Sequence, residues 1–226
     1  MISIKSDDNG TFYELDGEKL YFGKKEDLKY LMMEEHQYKQ YIKEIDKESI
    51  IYDVGAYHGF YSILGGALGE KVYSFEANPN NLKILRENKS LNSEKDITVV
   101  DKAVWSEETE LKLNTQIIGG KSHIADERVT IDPVTLDNFA ETHSNPDIIK
   151  IDVEGAEHHV LRGAENILKN TNPVLFIEIH LDGRLEEFRS SKEELETYLS
   201  KLGYSKVFHT YRGDEILGKY VKNTSS

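Results

Sequence analysis

The 226-residue sequence predicts an α/β protein, with a mostly parallel sheet, helices on both faces and an antiparallel hairpin at its C-terminal end. Three observations carry that expectation. Short β-branched runs alternate with stretches of helical periodicity, the pattern of consecutive βα units. Those runs are apolar throughout, as strands covered on both faces must be. The last two extended runs flank one tight turn, so they pair antiparallel instead of continuing the crossovers.

The elements follow in order. Residues 11–22 alternate around Asp16-Gly17, a dipeptide that favours a hairpin turn. Leu28, Leu31, Met32, Tyr41, Ile42 and Ile45 recur at helical spacing and predict a helix over about 25–46. Ile50-Ile51-Tyr52-Asp53-Val54 is a strand ended by glycine. Phe60, Ile63, Leu64, Ala67 and Leu68 then mark one helix face. Val72 to Phe75 is the second strand of this series, and Asn78-Pro79 supplies an N-cap and a first-turn proline for a helix through Leu91. Ile97 to Val100 is the third. Residues 107–136 are less regular, with extended runs at 110–113 and 128–131 and a short helix within 135–142. A strand at Ile148 to Ile151 leads to one helix through Val160, Leu161, Ala164, Ile167 and Leu168, and Val174 to Ile177 is the fifth strand. Ser191 and Glu194 form a capping box before Leu195, Tyr198, Leu199 and Leu202, and Gly203 ends that helix. Runs 206–210 and 215–221 close the chain as a hairpin. Residues 1–46 read as an N-terminal extension and 47–226 as the domain proper. A parallel sheet finished in this way is typical of class I methyltransferases, an analogy of fold that leaves function to the site.

Composition narrows the partners. There are 28 basic and 41 acidic residues, a net charge of −13, so no basic face for a nucleic-acid backbone is expected. The chain has no cysteine, which excludes disulfides, thiolate metal sites and a thiol nucleophile. No apolar run approaches the ~20 residues of a membrane span, and the first residues lack the apolar core of a signal peptide. A cytoplasmic, soluble protein is expected, with homo-oligomerisation left open.

The chemistry is expected where open α/β sheets bind ligands, beyond the carboxyl ends of the strands. The first such junction reads Asp53-Val54-Gly55-Ala56-Tyr57-His58-Gly59. Its D-x-G-x-x-x-G spacing is not the three-glycine pyrophosphate cradle and suits a cofactor without phosphates. Glu76 ends the next strand about 20 residues on, where a carboxylate accepts from ribose hydroxyls; the bland alternative is a charge favoured by the following helix dipole. Asp101-Lys102-Ala103 follow the third strand, where an adenine edge would lie. Lys150-Ile151-Asp152-Val153-Glu154-Gly155-Ala156-Glu157 follows the fourth. Asp152 and Glu154 share a face if the extension continues, and Glu157 falls in a first helical turn, where a dipole role is expected. The fifth strand ends Glu178-Ile179-His180.

The runs IYDVGAYHGFYSILGG, VYSFEANPNNLKILREN, DIIKIDVEGAEHHVLRGAENIL and PVLFIEIH resemble the FkbM family of S-adenosylmethionine-dependent methyltransferases over roughly residues 51–180, with KIDVEGAE the most diagnostic piece. The resemblance implies a seven-stranded class I fold and O-methylation, often of sugar hydroxyls. It places Asp53, Gly55 and Gly59 around the methionine part of the cofactor, Glu76 on the ribose, Ala103 and its neighbours at the adenine, and Asp152 near the sulfonium and the acceptor. Tyr57 stands where the family commonly has asparagine, and Ala77 where proline is common, which leaves the contacts of those two side chains open.

Methylation of a hydroxyl requires an in-line approach and a group that takes the proton. His180 is the first candidate base, with Asp152 and Glu154 as alternatives; the competing reading is a packed histidine hydrogen-bonded to Glu178. Asp152, Glu154, Glu178 and His180 also offer oxygen and nitrogen ligands for magnesium or manganese, without a compact ligand motif to fix them. One of His158 and His159 should face solvent, and His58 and His123 fall in loops. Tyr57 and Tyr61 are placed to border the cofactor. The charged stretch 182–196 reads as a solvated loop and helix face, or as one lip of the acceptor pocket. The leading expectation is an O-methyltransferase for a sugar, glycan or related small molecule. The alternatives are a methyltransferase with another acceptor and a non-catalytic adenosine-binding scaffold.

Overall fold

A computed structural model describes residues 4–8, 10–24, 35–108, 111–114, 117–118, 121–122 and 128–223. The chain forms two compact units, Met1–Asp101 and Lys102–Ser226.

The first unit opens with β1 (Ile4–Asp7), β2 (Gly10–Leu15) and β3 (Glu18–Phe22), an antiparallel sheet in that order. The hairpin turns at Asp16 and Gly17, both at positive φ, as the Asp-Gly pair leads one to expect; β1 adds a strand that the alternation did not reveal. Helix α1 spans Glu35–Glu44. The rest of the helix expected over 25–46 is not found at its C-terminal end, and its 25–34 part lies outside the described residues. Three parallel strands follow, β4 (Ile50–Val54), β5 (Lys71–Glu76) and β6 (Ile97–Asp101), adjacent in that order and connected through helices α2 (Phe60–Leu68) and α3 (Pro79–Ser90). All of β4 is buried, which accounts for its lack of alternation. Asn78 caps α3 through Asn80 N–H, with Pro79 in the first turn.

Two asparagines tie the N-terminal sheet to this unit. Asn88 Oδ1 accepts from Gly23 N–H at 2.9 Å, and Asn92 exchanges two hydrogen bonds with the backbone of Tyr21, at 3.0 and 2.8 Å. Both side chains are fully buried, and their amides occupy the edge of β3 in place of another strand.

The second unit contains two small antiparallel pairs, β7 (Leu111–Asn114) with β10 (Arg128–Ile131) and β8 (Ile117–Ile118) with β9 (Lys121–Ser122). Helix α4 (Leu136–Ala140) follows, then β11 (Ile148–Ile151). The single helix expected after β11 is two, α5 (Glu157–Arg162) and α6 (Glu165–Asn170). The break falls at Gly163, where an added Cβ would strike the carbonyl of Trp105. Asp137 then caps the new N-terminus, accepting from Asn166 and Ile167 N–H at 2.9 and 3.0 Å. After these come β12 (Val174–His180), α7 (Arg184–Glu187), α8 (Lys192–Lys201), β13 (Tyr204–Arg212) and β14 (Glu215–Lys222). Strand β12 runs parallel to β11 and antiparallel to β14, and β13 and β14 form the closing hairpin. Ser191 caps α8 as its capping box predicts.

Candidate active site

In the first unit, Gly55 and Ala56 N–H both donate to Phe75 O at the carboxyl end of β4. The loop then turns through Gly55, Tyr57 and Gly59, at φ of 79°, 52° and 88°. Gly59 is required for two reasons, because its φ is left-handed and an added Cβ would sit 2.5 Å from Leu85 Cδ1. Tyr57 stacks on His58 with centroids 3.7 Å apart, and Asn88 Nδ2 donates to His58 O at 2.8 Å. Asn88 therefore braces this loop as well as β3.

Glu76 organises the same junction. Its Oε2 accepts from Tyr57 N–H at 2.9 Å, and its Oε1 from Ala77 and Asn78 N–H at 2.9 and 2.7 Å. The Asn81 side chain is a further partner. Burial raises the carboxyl's pKa, against the pull of these donors. Asp53 is buried, and its Oδ2 accepts from Ser62 Oγ at 2.5 Å, with Ser74 donating on to Ser62 at 2.7 Å. The two serines, which no motif announced, hold the buried Asp53 carboxylate. Tyr61 is buried edge-on against Tyr41. Asp101 is exposed and paired with Arg86 at 2.9 Å. In the second unit Lys102 is exposed, and Ala103 O accepts from Val134 N–H at 2.9 Å.

The second unit gathers the other candidates around His180. The β12–β14 register sets Glu215 directly opposite His180, and Arg212 pairs with Glu215 across β13–β14. Glu178 and His180 lie two residues apart on one strand face. His180 Nδ1 is 2.7 Å from Glu157 Oε1, which also accepts from Gly155 N–H at 2.9 Å. Glu157, fully buried, is thus the orienting carboxylate of the histidine and not a solvated dipole partner. Glu178 is not the hydrogen-bond partner expected of it, since its Oε1 stands 3.7 Å from Nε2. Asp152 and Glu154 do converge, at 3.7 and 3.6 Å from Nε2, but not by continued extension. Strand β11 stops at Ile151, and Glu154 turns at φ 55°.

Cations pair with these acids. Lys150, buried, donates to Asp152 Oδ2 at 2.9 Å, and Arg184 holds Glu154 together with Asp182 and Glu215. Arg212 pairs with Glu178 and, at 2.7 Å, with Glu215. The start of the stretch 182–196 therefore belongs to the cluster; its charges pair inward because Gly183, in the left-handed region, starts α7 at Arg184. Burial opposes charge on His180, but the Glu157 hydrogen bond and the charges of Asp152, Glu157 and Glu178 outweigh it and push the pKa up to about 9. In this arrangement the ring holds its proton at neutral pH and donates. Burial likewise opposes charge on Asp152 and is outweighed by Lys150 and His180, so that carboxyl titrates below its ordinary range.

Neither His158 nor His159 is exposed. His158 Nδ1 lies 2.8 Å from Ser190 Oγ, and His159 stacks on Trp105 at 3.8 Å. His123 lies outside the described residues.

Solved structures that this chain resembles in fold include methyltransferases. A structure of methyltransferase FkbM from Methylobacillus flagellatus KT matches with a TM-score of 0.56 and 18% identity over 80% of this chain and 50% of that one. This chain thus spans half the length of that structure. A putative methyltransferase of Streptococcus mutans in complex with SAH matches with a TM-score of 0.53 and 14% identity, over 83% of this chain and 98% of that one. The fold is that of the class I methyltransferases, a mostly parallel sheet with a C-terminal antiparallel hairpin. A hexuronic acid methyltransferase of Haloferax volcanii is 26% identical over 174 residues, 74% of this chain and 72% of that protein. The methyltransferase FkbM domain model matches residues 53–206, and the chain belongs to that family.

Proposed function

We propose that this S-adenosylmethionine-dependent methyltransferase O-methylates a sugar hydroxyl. The observation that carries the reading is the set of carboxylates turned toward His180 Nε2, with Asp152 and Glu154 partly accessible in a cluster that is otherwise mostly buried. Carboxylates are the acceptors that sugar hydroxyls need. The similarity to a hexuronic acid methyltransferase supports the same acceptor class.

The first unit suits the cofactor's nucleoside. A carboxylate offers about four acceptor sites, and at Glu76 three backbone N–H groups and the Asn81 side chain already engage them. A ribose diol would take the place of Asn81, the one side chain among the four. Gly55 and the Tyr57 backbone would border the methionine part, with Asp53 supporting the loop from below. Asp101, Lys102 and Ala103 are proposed at the adenine.

S-adenosylmethionine supplies a methyl group on a sulfonium, and the acceptor oxygen forms the new C–O bond as the C–S bond breaks. The chain's own work is to hold the hydroxyl and remove its proton. We assign the proton to Glu154, with Asp152 orienting the hydroxyl and protonated His180, held by Glu157, fixing both carboxylates. Titration with S-adenosylhomocysteine, followed by transfer of labelled methyl to uronic acid glycosides, tests the reading. Glu154→Gln should lower kcat by about 10²-fold or more, as loss of a proton acceptor does, with the cofactor's Kd unchanged. No cofactor binding by the folded protein would overturn the enzyme reading, and binding without transfer to any sugar would point to another acceptor.

A further inference from the structure

Carboxylates crowd around His180 among the described residues. Six carboxylates, Asp152, Glu154, Glu157, Glu178, Asp182 and Glu215, lie about the ring together with Lys150, Arg184 and Arg212. Much of the cluster is buried, where uncompensated charge is costly. The arrangement of the ring shows where a further cation would sit. Glu157 takes Nδ1, which fixes the imidazole and turns Nε2 away from it. Among the described residues Nε2 makes no hydrogen bond, although His180 is only 1% exposed. Instead, oxygens of Glu154, Asp152, Glu178 and Glu215 surround it at 3.6, 3.7, 3.7 and 3.9 Å.

One ligand atom each from Asp152, Glu178 and His180 lies within 4.8 Å of the other two. Neighbouring ligand atoms about 2.1 Å from an octahedral ion are roughly 3 Å apart, so the two 3.7 Å separations from Nε2 need to close by about 0.7 Å, within the reach of a side-chain rotation. A carboxylate on the far nitrogen is how metal-binding histidines are oriented, and Lys150 takes Oδ2 of Asp152 while Oδ1 faces the ring. Arg212 shares Glu178 Oε1, and its guanidinium would remain as the outer partner of that ligand.

We propose that Asp152, Glu178 and His180 form a binding site for one divalent cation, probed with manganese(II) because that ion takes carboxylate ligands and is seen directly by magnetic resonance. Glu157 and Lys150 position the ligands, and the ion takes the place of the proton that His180 Nε2 carries in the metal-free cluster. Binding of the ion requires nothing of the methyltransferase reading; only its use does, since there it would hold and polarise the acceptor hydroxyl beside Glu154.

The test uses the full chain, stripped with EDTA, dialysed and titrated with manganese chloride while free manganese is followed by electron paramagnetic resonance. One ion per chain is expected, with spin-echo modulation from a coordinated imidazole nitrogen. Asp152→Asn should weaken binding by at least about tenfold, and His180→Gln should abolish the nitrogen modulation. Thermal melting of each variant checks folding. If His180→Gln fails to fold, Asp152→Asn at its part-exposed position carries the affinity test and the wild-type modulation carries the ligand assignment. Manganese bound without nitrogen modulation, or undiminished in folded Asp152→Asn, overturns the proposal, as does no binding at all. S-adenosylhomocysteine is titrated into the same sample. Manganese without cofactor binding would sink the methyltransferase reading alone, and cofactor without manganese would sink the metal site alone.

Discussion

Glu76 and Asn81 make opposite predictions at the scale of single residues. Glu76→Ala removes the acceptor of three backbone N–H groups, so it should cost about 1–3 kcal/mol of stability, as unsatisfied buried donors do, and weaken S-adenosylhomocysteine binding in calorimetry. Asn81→Ala should leave cofactor affinity unchanged or improve it, because the ribose no longer has an amide to displace. A clear loss of affinity in Asn81→Ala would remove that role. His158 gives a pH signature. Burial first, then Arg162 and His159, depress its pKa below the usual 6.5, with Glu194 opposing. The unfolded chain therefore binds this proton more readily than the folded one. The stability linked to the neutral ring is full above about pH 6.5 and is lost as pH falls through the folded pKa. Urea midpoints for His158→Gln should fall less steeply between pH 7 and 5 than those of the wild type.

At the scale of elements, two glycines decide where helices begin and end. Gly59→Ala puts a methyl against Leu85 at a left-handed φ, and should cost about 1–3 kcal/mol or more in denaturant unfolding. Gly163 lies in the ordinary helical region, so Gly163→Ala isolates the steric effect of Trp105, again at roughly 1–3 kcal/mol. The elements themselves were mostly legible in the sequence. The β4 run, the Asn78-Pro79 start and the Ser191–Glu194 box each act within a few residues. The break between α5 and α6 was not legible, because apolar spacing continues straight across Gly163. The contacts made at the break come from far away in sequence: Asp137 N–H donates to Gly163 O, and the Asp137 carboxylate accepts from Asn166 and Ile167 N–H. The Asn88 and Asn92 braces were hidden for the same reason, since each bonds a partner 30 to 71 residues away.

At the scale of the whole molecule, ligand linkage and net charge make the predictions. S-adenosylhomocysteine at 100 times its Kd should raise the unfolding free energy by about 2.7 kcal/mol, seen as a higher melting temperature. A chain of net charge −13 should not retain tRNA on a filter at physiological salt; retention there would reopen nucleic acid as an acceptor. No helix among the described residues is long and apolar enough to cross a membrane.

By itself the sequence determined the order of the main strands and helices and the acidic and imidazole residues at the carboxyl ends of the parallel strands: Asp53, Glu76 and His180 within them, and Asp152 and Glu154 just beyond. Periodicity, caps and glycine spacing are local, and local signals survive in a linear chain. Only the tertiary structure decided which of those residues act together. His180 takes Glu157 from 23 positions upstream, and Glu178 takes Arg212 from 34 downstream. Such pairs depend on strand register and on where a helix begins, and these in turn determine which charges are brought out of water together.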